Sequence, residues 1–71
     1  MITVNCPMKQ EDVIAALSGS HDGIEFRFVD KKGIKLHFQV DTEDLDQAVA
    51  TAKNVIKATP FGNVLYFQVT K

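Results

Sequence analysis

Two runs of strict alternation constrain this chain more than any other feature. Residues 24–29 read Ile-Glu-Phe-Arg-Phe-Val, and residues 34–40 read Ile-Lys-Leu-His-Phe-Gln-Val. Apolar side chains at every second position describe a strand with one buried face and one wet face. Between the runs stands Asp30-Lys31-Lys32-Gly33. Asp opens a type I turn, and Gly supplies the positive φ of a bulge after it. The two runs are therefore expected to form a hairpin. Pairing Phe28 with Leu36, Phe26 with Phe38 and Ile24 with Val40 sets all six apolar residues on one face. A slip of one residue would mix the faces. An isolated hairpin is marginal in water, so that face needs cover.

Two amphipathic stretches supply the cover. Pro7 suits the first position of a helix, where a missing N–H costs nothing. Glu11 and Asp12 follow at the positive helix end, and Val13, Ile14 and Leu17 form an apolar stripe. Gly19 within Ser18-Gly19-Ser20 ends this helix, and the loop through His21 and Asp22 reads as solvated. The second helix spans 42–58, capped by Asp41 or Thr42. Leu45, Ala48, Val49, Ala52 and Ile56 line one side of it. Glu43, Asp44 and Asp46 at its start and Lys53 and Lys57 at its end match the macrodipole. Pro60 forces its end. Two further strands flank these elements. Residues 2–5 alternate at the start, and residues 64–70 place Leu65, Phe67 and Val69 on one face with Tyr66 and Gln68 on the other.

The order is βαββαβ. The economical solution is α+β, two layers, with a four-stranded antiparallel sheet and both helices on its apolar face. Right-handed crossovers give the spatial order 4-1-3-2. This arrangement resembles the ferredoxin-like split βαβ sandwich. A length of 71 residues is read as a single domain over 1–71. A core this small buries only about 60% of the unfolded surface, so pairing with a second copy would add stability.

Composition narrows the chemistry. Apolar residues make up 45% and charged residues 24%, which describes a globular rather than a disordered chain. A formal net charge of −1 gives no global pull toward nucleic acid or an anionic membrane. One cysteine permits no internal disulfide, and a lone thiol fits a reducing, cytoplasmic setting. No run reaches the roughly 20 apolar residues of a membrane helix, and the first residues lack the pattern of a secretory signal. Histidine and cysteine spacing suited to a metal is missing, so no metal and no cofactor is expected.

Three local features could carry chemistry. Cys6 at a helix start, near Lys31 and Lys32 of the hairpin tip, would have its thiolate favoured by the dipole and the lysines, and the same N–H groups could hold a small anion. Cys6-Pro7 after a first strand resembles the Cys-Pro-x-Pro motif of small sulfur-carrier proteins. Lys9 stands where their second proline lies, and the hairpin replaces their helix between strands two and three. The βαββαβ order is also similar to metallochaperone domains, but Lys9 stands where their second cysteine would be. Acylphosphatases use the same turn, with a glycine-rich loop and an arginine that this chain lacks. The second feature is the helix-free sheet face, expected to show Arg27, Lys35, His37, Tyr66 and Gln68, with Arg27 beside His37. It resembles the platform of an RNA-recognition motif in position only, because its central strands carry no stacking aromatics. The third is the loop holding His21 and Asp22. No catalytic triad, phosphate loop or glycine fingerprint is present. The reading that follows is a non-enzymatic domain binding a protein partner or its own copy through the open sheet face or an edge strand. A thiol carrier or small-anion protein centred on Cys6 is the alternative, and weak RNA binding on the sheet face the second.

Overall fold

A computed structural model describes residues 1–62 and 65–71. In chain order they form β1 (Ile2–Asn5), α1 (Gln10–Leu17), β2 (Gly19–His21), β3 (Ile24–Lys32), β4 (Lys35–Val40), α2 (Leu45–Lys57) and β5 (Gln68–Thr70). The fold is α+β: two helices and an antiparallel five-stranded sheet in the order β2-β3-β4-β1-β5.

The expected four-stranded sheet of order 4-1-3-2 is corrected to five strands. The added strand, β2, comes from a segment read as a solvated loop. Its cause is the dipeptide Asp22-Gly23. Asp22 has φ 52° and Gly23 φ 79°, and His21 pairs directly with Ile24. Two successive positive φ values are what a type I′ hairpin requires, and Asp-Gly is among the sequences that supply them.

The main hairpin forms, with a corrected register. Phe26 faces Val40 and Phe28 faces Phe38, two residues from the expected pairing. A slip of two keeps every side chain on its face, so the apolar set still meets the helices. A bulge between Phe28 and Asp30 then adds Val29 to β3. Past the bulge β3 runs on to Lys32, which pairs with Lys35, and the turn shrinks to Gly33-Ile34. Gly33 takes φ 59° there.

Both helices are shorter than expected. α1 begins at Gln10, three residues beyond Pro7, after Lys9 turns through φ 55°. α2 is capped by Asp44 rather than Asp41 or Thr42, its carboxylate accepting from the Gln47 N–H at 3.1 Å. The last strand pairs only over Gln68–Thr70, where β5 joins β1, and residues 65–67 lie outside it. The expected start at residue 64 falls outside the described residues.

The core lies between the sheet and the helices. Ile2, Val4, Leu36, Phe38 and Phe26 from the strands meet Val13, Leu17, Ala48, Ala52 and Ile56 from α1 and α2. The rings of Phe28 and Phe38 meet edge to face at 5.6 Å. Among the described residues, no helix is long and apolar enough to cross a membrane.

Candidate interaction surface

The face of the sheet away from the helices is built in rows. Residues directly opposite on antiparallel strands share a face, so the register fixes the neighbours. One row runs Lys32, Lys35, Asn5, Gln68 across β3, β4, β1 and β5. The next runs Asp30, His37, Thr3, Thr70. A third pairs Arg27 with Gln39. Three of the expected face residues thus fall in adjoining rows, Lys35 and His37 on the central strand β4 and Gln68 on the edge strand β5, with Arg27 beyond them.

The bulge decides the company of His37. An uninterrupted β3 would have set Val29 opposite it. The inserted residue moves Asp30 into that position, and the Asp30 carboxylate lies 2.5 Å from His37 Nδ1. The expected neighbour Arg27 lies elsewhere, opposite Gln39 and 4.0 Å from Glu25. Asp30 was read only as a turn opener. An acidic residue following a broken alternation, Phe28-Val29-Asp30, is the signal that marks it.

Tyr66 does not belong to this face. It sits in the unpaired 65–67 segment, 72% exposed, beside Pro7, Met8, Lys9 and Leu65 around a hollow of about 180 Å³. Strand parity placed it on the open face, and parity has no force where the ladder is not formed. With Tyr66 displaced, the described part of the open face loses the one phenol ring expected on it.

The proposed thiol or anion site comes apart in the same way. Lys31 pairs with Leu36 and Lys32 with Lys35, so the two lysines project to opposite faces of β3. Cys6 is fully buried in the core, its Sγ directed at the Met8 carbonyl. Burial pushes its thiol up from the ordinary value, and the Met8 contact opposes this only in part. That is the reverse of what an activated nucleophile requires. The Cys6 N–H donates to the Ile34 carbonyl at 2.8 Å. The Gln10 amide donates to the carbonyls of Cys6 (2.9 Å) and Gly33 (2.8 Å). This end of the molecule is a clamp between two turns. His21 lies on β2, its ring 5.8 Å from that of Phe26. Among the described residues no cluster of three or more His, Cys, Asp or Glu side chains is placed to hold a metal ion.

Comparison with family models, with curated proteins and with solved structures finds no match to this chain.

Proposed function

We propose that the chain is a non-enzymatic interaction domain that docks a protein partner, or a second copy of itself, on the open face of its sheet. The observation that carries this reading is the three-row surface of Lys32, Lys35, Asp30, His37, Arg27 and Gln39. It combines both signs of charge and amide groups on a rigid ladder, with one bulge fitted to bring a carboxylate to the central histidine. Arg is among the residue types enriched at protein interfaces, and fixed alternating charges set register and exclude wrong partners. We read the scaffold as a ferredoxin-like sandwich with an extra edge strand, supported by the run β3-β4-β1-β5 within the sheet.

The test is a comparison of the native chain with an Arg27→Glu, Lys35→Glu variant. Sedimentation across a wide concentration range and affinity capture are run on both. The reading expects a self-association or a retained partner that the variant loses. A strict monomer that captures the same proteins before and after charge reversal refutes it.

A further inference from the structure

A second surface lies at the β5 margin of the sheet, between α2 and the segment 65–70, and takes in Gln68 and Thr70 of the open-face rows. A groove of about 610 Å³ is lined on one side by Lys53 and Lys57 and on the other by Leu65, Tyr66, Phe67 and Val69. The two lysines stand one helical turn apart, so both ammonium groups reach the same opening. Among the described residues neither makes an ion pair. The carboxylate of Asp46, further back on the same helix, is held by Lys71 at 2.8 Å and so is not free to neutralise them. The groove continues into the hollow beside Met8, because Leu65 and Tyr66 line both, and a third cation, Lys9, stands there. Met8 is 67% exposed and Tyr66 72%, an apolar track open to solvent. Among the described residues β5 ends the sheet, and no strand lies beside its outer backbone edge.

We propose that this groove receives an extended acidic segment of a partner protein. The segment lies along the groove, with its apolar side chains against Leu65 and Phe67 on one wall and its carboxylates against Lys53 and Lys57 on the other. Alternate side chains of an extended segment point to opposite sides, so one wall selects apolar residues and the other acidic ones. Charge decides the occupant. A second copy paired β5 to β5 about a two-fold axis would bring Lys53 and Lys57 of both chains together, and like charges there oppose the pairing. A small anion would satisfy the lysines and leave the apolar track uncovered. The two readings share Gln68 and Thr70, and the Lys53, Lys57 variant, which leaves Arg27 and Lys35 in place, tests this one alone.

The probe is an acetylated octapeptide of alternating Val and Glu, whose own repulsion keeps it extended, titrated into isotopically labelled protein. The control peptide alternates Val and Lys. The expected result is amide shifts at Leu65–Thr70 and the second half of α2 with the acidic peptide alone. The double variant Lys53→Gln, Lys57→Gln weakens binding about tenfold, and added salt weakens it in the native chain. Both lysines are exposed, so the variant keeps its fold. Four outcomes overturn the proposal: no shifts with the acidic peptide, equal binding of the basic peptide, indifference to the lysine variant, or the same shifts produced by acetate alone.

Discussion

Replacing Gly62 with alanine probes how closely the chain doubles back on α2. Gly62 is buried against the last turn of the helix. A Cβ built there would lie 2.3 Å from the Ile56 carbonyl oxygen, 2.7 Å from Lys57 Cα and 2.8 Å from the Lys57 carbonyl oxygen. Ordinary contact begins near 3.4 Å, so the two segments must part by about 1 Å. All three obstacles are backbone, and no side-chain rotation relieves them. The Ile56 oxygen also accepts from the Thr59 N–H at 3.1 Å and from Thr59 Oγ1 at 2.6 Å, so its displacement disturbs the helix end. Overpacking of this kind costs about 1–3 kcal/mol. In a domain of this size a loss of about 2 kcal/mol lowers Tm by about 8–16 °C. Urea and thermal unfolding followed by circular dichroism measure both. Gly23 is the control. It has open space around it but φ +79°, so Gly23→Ala is disfavoured by backbone conformation alone. Gly23→Asn, which tolerates that conformation, should recover much of the loss, whereas Gly62→Asn should be no better than Gly62→Ala. A Gly62→Ala protein within about 0.5 kcal/mol of the native chain refutes the close approach.

Further outcomes follow from the same geometry. Asp44→Ala removes the side-chain acceptor for the Gln47 N–H and should cost about 1 kcal/mol in urea unfolding; Asp41 accepts instead from the Glu25 N–H at 2.9 Å, so Asp41→Ala should loosen β3 and leave the helical circular dichroism of α2 unchanged. Thiol reagents should react with Cys6 only when the chain unfolds, a rate measured by absorbance with and without denaturant. Because burial raises the folded thiol from 9.0, the unfolded chain releases this proton first. The stability it contributes is present below about pH 9 and is lost as pH rises through the folded value, and Cys6→Ser should flatten that alkaline limb of the unfolding midpoint. Deleting Val29 removes the bulge yet leaves Asp30 opposite His37, so stability should change by less than about 1 kcal/mol while the straightened outer edge of β3 aggregates more readily in light scattering.

What could be read from the residues divides along physical lines. Alternation in 24–29 and 34–40 determined which side chains meet the helices, because side-chain parity survives a shift of two residues. It could not choose between registers of equal parity, and the bulge that settles the tip falls on a valine, a residue that looks at home in any strand. Asp22-Gly23 carried a legible hairpin signal, hidden because the flanking Ser-Gly-Ser-His has no apolar alternation. Parity misplaces Tyr66 because alternation runs across 65–69 while pairing begins only at Gln68. Lys53 and Lys57 were explained by the helix dipole alone. Their place on the wall of a groove depends on where residues 65–70 lie, a matter of tertiary path that local pattern does not contain.

The placement of β1 has a consequence for the order of assembly. Its four residues precede every other strand in the chain, yet their partners are β4 and β5, with Ile2 meeting Phe38 and Thr3 meeting Thr70. The β2-β3-β4 meander can close by neighbouring turns as soon as it emerges, but the amino-terminal strand must wait for distant partners, and long closures are slow. A nascent chain stopped after α2 would therefore carry β1 with one side bare, exposing a backbone edge to any passing strand until β5 is made.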